Sequence, residues 1–357
     1  DIFAVQDDIA QSVVKELREA LLGGDEKATT EVTAQVAAAV KGRATDPEAH
    51  RLYLQARYFF NRGTRDDTST GIGYLEQALL RDPAFALAWA ELCRAHLSAA
   101  GNGWTHLAQG YAQAREALAK ALALEPELAE AHARLGWIQM DYDRDWRGAE
   151  ASFAQALALA PGNAVVLSNC GVLAVNLGRF DEAIELYRRA IEQDPLSAIA
   201  YHNLGTALDA AGDLVEAEPA YRKALELAPQ RAVTRALVAL NLLAQGRGDE
   251  ALNEATRESD PFWRIWASAI VQHATGHLTE ADASLRELIA KHAADSAYQV
   301  AQVYAARGET DLAFEWLERA FVERDPGLSD MKVSWSLRSL HGDPRWGAFL
   351  DKMGLAD

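Results

Sequence analysis

The sequence predicts an all-α solenoid of about eight helical hairpins, and three observations carry that prediction. Pro161, Pro195 and Pro229 stand 34 residues apart. The segments between them align without gaps: Leu167, Cys170, Gly171, Ala174, Gly178, Ala183, Tyr187, Ala190 and Pro195 in one, then Tyr201, Leu204, Gly205, Leu208, Gly212, Ala217, Tyr221, Ala224 and Pro229 in the next. Ala and Leu, both helix formers, dominate a composition that is 49% hydrophobic and 24% charged, with only 10 prolines. A fixed period of this length marks stacked supersecondary units, each unable to bury its apolar face alone.

Each feature of the period has a physical reason. Gly171 and Ala183 are small where the two helices of a hairpin must approach closely. Gly178 and Gly212 end the first helix, where a left-handed residue costs glycine little. Asp181 and Glu182 suit the positive end of the second helix, and Pro195 and Pro229 stop it. With the register fixed, degenerate copies appear on both sides. Upstream, Leu135-Gly136 leads to Ala149, Phe153, Ala156 and Pro161; Trp89 and Leu92 lead to Ala114, Leu118, Ala121 and Pro126; Leu52 and Ala56 lead to Leu75, Ala78 and Pro83. Downstream, Gly246-Arg247 leads to Ala251, Gly276 to Ala281 and Leu285, and Gly308 to Ala313, Leu317 and Ala320.

This order of bulky, small, aromatic and proline positions resembles the tetratricopeptide repeat. The resemblance implies a right-handed superhelix whose first helices line a concave groove. The array is expected over residues 46–325. Before it, residues 1–22 read as an amphipathic helix with Val5, Ile9, Val13, Leu17 and Leu21 on one stripe, and residues 23–45 as a linker. That stripe needs cover, from the first hairpins or from a second copy of the chain as a homodimer. After the array, residues 326–357 carry Trp335, Leu337, Leu340, Trp346, Phe349 and Leu350 and read as a cap over the last hairpin.

The ends resemble something narrower. The opening DIFAVQDDIAQSVVKEL, the segment AHRLYLQARYFFNRGT, the loop DYDRDWRGAEASFAQAL and the tail DPRWGAFLDKMGL are similar to the C-terminal arrays of bacterial multidomain regulators with TolB-like domains. In those proteins, preceding domains are nucleotide cyclases, winged-helix modules or kinases. The resemblance implies a regulatory or scaffolding arm. The start at Asp1, without Met or a signal-peptide pattern, is expected for a fragment or processed product, in the cytoplasm or alternatively the periplasm.

The net charge is −17, and no Lys/Arg cluster stands out, so nucleic acid and anionic membrane are not expected partners. No run of about 18 apolar residues is present. No cofactor or metal is expected, and no enzyme. Asp141, Asp143 and Asp145 resemble a calcium loop, but Trp146 and Ser152 stand where glycine and glutamate are required, so an acidic loop anchored by Trp146 is expected. His273 and His277 have metal-ligand spacing, but Gly276 between them ends the helix. Cys93 and Cys170 read as small buried thiols.

The expected function is a protein-interaction scaffold that binds a peptide or protein in its concave groove. The alternative is a sensory module that binds a small ligand and regulates an attached domain. A long open groove favours the first and a closed cavity the second. The groove residues expected, centred on the fourth and fifth repeats and reaching into the third, are Arg134, Trp137, Asn169, Val172, His202, Asn203 and Thr206. Asn169 and Asn203 hold one register position, 34 residues apart. They form either a ladder for peptide backbone or bonds to neighbouring backbone. Trp263 and Trp266 are either core filling or exposed anchors. The segment AAGNGWTHLA over 99–108 is expected to lean over one rim of the groove or onto an adjacent loop, with Trp104 as its buried group. The net charge favours basic or neutral partners.

Overall fold

The structure is a computed structural model and describes residue 42 and residues 44–356. The expected helix over 1–22, its dimer contact and most of the linker lie outside those residues. Eight hairpins run in sequence. They are α1 (Pro47–Arg62) with α2 (Arg65–Arg81), α3 (Ala86–Gly101) with α4 (Leu107–Leu124), α5 (Ala129–Ile138) with α6 (Trp146–Leu159), and α7 (Ala164–Asn176) with α8 (Phe180–Gln193). Then come α9 (Ala198–Ala211) with α10 (Leu214–Leu227), α11 (Thr234–Ala244) with α12 (Gly248–Thr256), α13 (Pro261–Ala274) with α14 (Leu278–His292), and α15 (Ala297–Ala306) with α16 (Thr310–Glu323). A final helix, α17 (Pro344–Met353), follows two 3-10 turns at Pro326–Asp330 and Trp335–Leu340. No strand occurs among the described residues. The fold is an all-α solenoid.

The hairpin crossing is a ring over a glycine. A Cβ added to Gly171 would fall 2.7 Å from the Tyr187 ring, one added to Gly205 2.7 Å from Tyr221, and one added to Gly136 2.9 Å from Phe153. Ala183 is fully buried, as its place in the period requires, but the group that meets Gly171 is the tyrosine. The first helices end at Gly178, Gly212, Gly246, Gly276 and Gly308, all with φ between +76° and +93°. In the third hairpin a π-helical turn, Gln139–Asp143, replaces that ending, and Arg144 takes the left-handed position. Asp145 caps α6 through the Gly148 amide and Asp143 pairs with Arg115, so the acidic loop is committed to structure.

The core passes along the array as overlapping clusters, with Tyr111, Tyr187, Tyr221 and Tyr298 each almost wholly buried. Regions far apart in sequence also touch. The Ala232 amide donates to the Gly63 carbonyl at 3.1 Å. Helix α3 extends to Gly101, so the segment expected to be loop from 99 starts at Asn102. That loop crosses to the seventh and eighth hairpins: Trp104 Nε1 donates to Asp260 at 3.0 Å, Trp263 Nε1 donates to Asn102 at 3.0 Å, and His106 meets Asp295 at 2.8 Å. Trp146 Nε1 donates to the Met353 carbonyl at 2.7 Å.

The C-terminal segment has two parts. Trp346, Phe349, Met353 and Leu355 pack in one cluster with the eighth hairpin. Residues 326–336 do something the sequence did not suggest: they turn into the concave side. Gly327 lies so close to the Tyr298 ring that no Cβ would fit, Leu328 and Met331 are fully buried, and the first 3-10 turn packs on the π turn and on α7.

Candidate binding chamber

The returning segment narrows the concave face into a partly enclosed chamber. Its larger part holds about 370 Å³ between α5, α7, α9, α11, α13, α15 and the returning segment. A second part of about 300 Å³ lies toward α3 and the loop before α11. Gly101, Trp137, Asp141, His202, Asn203, Val233 and Pro326 line both, so the two adjoin.

All seven expected groove residues border it. Trp137, Val172, His202, Asn203 and Thr206 line the larger part, and Arg134 and Asn169 line the second. The two asparagines are not equivalent. Asn169 is buried; its Oδ1 accepts from Arg134 at 3.0 Å and its Nδ2 donates to the Val165 carbonyl at 2.6 Å. Asn203 is half-buried and has no hydrogen-bond partner among the described residues. Thr206 donates to the His202 carbonyl and His202 Nδ1 meets Thr234 Oγ1 at 2.9 Å. Burial and then Arg231 push the His202 ring down to about 3, so it is neutral. Trp263 and Trp266 are both core and chamber wall: they are 9% and 3% exposed, and the Trp266 Nε1 has no acceptor.

Several chamber residues were not foreseen. Asp141 comes from the π turn, Asn176 lies two turns beyond Asn169, and Gln299 and Gln302 come from α15. The spacing of Asn169 and Asn176 was a usable signal. Asp325 and Asp330 arrive with the returning segment, which carries no periodic signal. Burial pushes Asp141 and Asp325 up to about 7 and Asp330 up to about 6. Asp141 Oδ1 has no partner, Asp325 accepts from the Tyr298 amide at 2.9 Å, and Asp330 takes the Tyr298 hydroxyl. One end of the chamber is thus acidic. The other carries Arg94, Arg134 and Arg231. Both cysteines are buried, with thiols pushed up to about 12 by burial, as structural thiols are. No group of three His, Cys, Asp or Glu suited to a metal occurs among the described residues. No helix among them is long and apolar enough to cross a membrane.

Comparison with known proteins points to one class. Residues 171–232 match the family model described as tetratricopeptide repeat. A Petunia hybrida protein described as the UDP-N-acetylglucosamine–peptide N-acetylglucosaminyltransferase SPINDLY is 48% identical over 44 residues. That match covers 12% of this chain and 5% of the relative, so the chain spans a small fraction of that protein. Human IFIT1 has a similar fold in two solved structures. Its dimer with PPP-AAAA gives a TM-score of 0.51 at 17% identity, covering 72% of this chain and 69% of that one. Its dimer with m7Gppp-AAAA gives 0.52 at 17% identity, covering 73% and 68%. Such identity speaks for fold alone. Residues 171–232 are thus tetratricopeptide-type repeat, set within an all-α solenoid of matching hairpins.

Proposed function

We propose that this chain is a non-catalytic interaction module that takes a short extended stretch of a partner protein into its concave chamber. The carrying observation is that residues lining the space keep polar groups without a protein partner: the Asn203 amide and the Trp266 indole N–H on helices, and Asp141 Oδ1 in the π turn. An amide that can donate and accept is suited to peptide backbone, and Trp137 and Val172 give apolar floor beside it. The resemblance of the chain ends to bacterial multidomain regulators makes it the regulatory arm of a larger protein in this reading.

The partial enclosure of the chamber favours a second reading, a sensory module for a small ligand. Space of about 370 Å³ suits a drug-sized molecule, or a few residues of a peptide. One experiment separates the two. Screen the intact chain by calorimetry against a peptide library and a metabolite library, and repeat each hit with Asn203→Ala. Peptide hits weakened about fivefold or more, the cost of one hydrogen bond, support the scaffold. Metabolite hits alone support the sensor. Peptide hits indifferent to Asn203→Ala would place binding on another surface.

A further inference from the structure

Two guanidinium groups at one end of the chamber form no ion pair among the described residues, and the carboxylate acting most on Arg134, Glu91, is already held by Arg94. Arg94 holds it at 2.8 Å and lies on the Phe60 ring. Arg134 is 4% exposed, forms no ion pair among the described residues, and spends one N–H on Asn169 while its buried Nε has no acceptor. Arg231 likewise forms no ion pair among those residues; its Nε is buried without an acceptor, and its side chain lies against Gly63. Burial and Arg94 bring Arg231 down to about 10, so it is charged at neutral pH. Burying a cation without a partner is strongly unfavourable unless something supplies the missing charge. Two residues after Arg231, Val233 sits at φ +66°, a conformation that strains a β-branched residue and recurs where backbone is held for a purpose.

We propose that this end of the chamber is an anion site, in which a carboxylate or phosphate group of the ligand is held by Arg134 and Arg231. Arginine presents several N–H donors in a planar fork that matches either group. The chain's net charge of −17 does not describe this space. Asp141 borders it, but burial holds that group up to about 7, which limits its opposition near neutral pH. The site goes beyond the reading above in naming the charge of what enters, and it holds for a peptide or a metabolite alike.

The test uses the full chain without any peptide. Follow thermal unfolding in inorganic phosphate, in acetate and in chloride at equal ionic strength, for the wild type, Arg231→Met and Arg134→Met. The wild type should melt roughly 2 °C or more higher in phosphate or in acetate than in chloride, because a ligand of the native state stabilises it by mass action. The more effective anion tells which group the site takes. Arg231→Met should lose that response while its melting temperature in chloride stays equal or rises, since an apolar group replaces a partly buried charge that has no ion-pair partner among the described residues. A purely structural arginine would give the reverse, a lower melting temperature in chloride. Arg134→Met also frees Asn169, so Arg231→Met decides if that variant fails to fold. A wild type that melts alike in all three salts, or an Arg231→Met chain that keeps the response, overturns the site. Either result leaves peptide capture to be judged by its own experiment.

Discussion

In the fourth and fifth hairpins a glycine on the first helix takes the ring of a tyrosine on the second, and the arrangement repeats after 34 residues. In the first hairpin the roles are exchanged. Phe60 on α1 lies over Gly71 on α2, with a would-be Cβ only 2.5 Å from the ring. The second hairpin keeps only the gap, with Gly110 of α4 against Ala100 of α3. The helices need a hole on one side and a filler on the other, and either helix can supply either part. The central hairpins state this rule in a fixed order. The outer ones obey it in another order, and so look degenerate in sequence without being loose in structure.

The largest effect should come from filling the hole. Gly205→Leu should cost about 3 kcal/mol by urea denaturation, and Tyr221→Leu in the same chain should return part of it. Gly71→Leu with Phe60→Leu should behave in the same way. If Gly71→Leu proves harmless, the exchanged pair is not equivalent to the central one. Next comes the long-range loop. Trp104→Ala removes the bond to Asp260 and a partly buried ring, and should cost about 2 kcal/mol, with little change in helix content by circular dichroism.

The regular and irregular regions should also differ in their response to pH. Asp141, Asp325 and Asp330 all lie where the returning segment meets the chamber, with carboxyls raised from 3.8 to about 7, 7 and 6. The folded chain keeps protons there that the unfolded chain releases. Stability from these sites is therefore complete below about pH 4 and is lost as pH rises through 6 to 7. The melting temperature should fall by a few degrees between pH 5 and pH 8, and Asp141→Asn should flatten the slope. A melting temperature that rises over that window contradicts the burial of these groups. The smallest contrast is within the central pair. Asn169→Ala should cost about 1 kcal/mol because it leaves Arg134 without its acceptor, whereas Asn203→Ala should stay within about 0.5 kcal/mol.

The hairpin count, the glycine ends and the placement of the seven expected residues on the concave side were legible because they follow the repeat period, and a period survives in one sequence. What was not legible lies off that period. Arg231 and Val233 fall in the loop before α11, Asp141 in a π turn, and Asp325 and Asp330 in a segment with no regular helix. Their roles depend on contacts outside their own segments, from about 30 residues away for Asp325 and Asp330 with Tyr298 to more than a hundred for Arg231 with Gly63, and no local pattern encodes those. The cap was read from its large apolar residues, of which Trp346 and Phe349 pack in one cluster with the last hairpin. The inward turn of 326–336 depends on the fit of Gly327 to Tyr298, visible only once both are placed.

The bonds that span the array change how it should carry load. Stacked repeats that touch only their neighbours behave as a row of springs, each free to open by itself. Here Trp104 is tied to a residue 156 positions on, Arg144 to one 177 on, and Trp146 to one 207 on. The row is cross-braced. Pulled from its two ends, such a molecule should hold nearly its full length up to one force. It should then yield in a single large extension, without paying out one hairpin at a time.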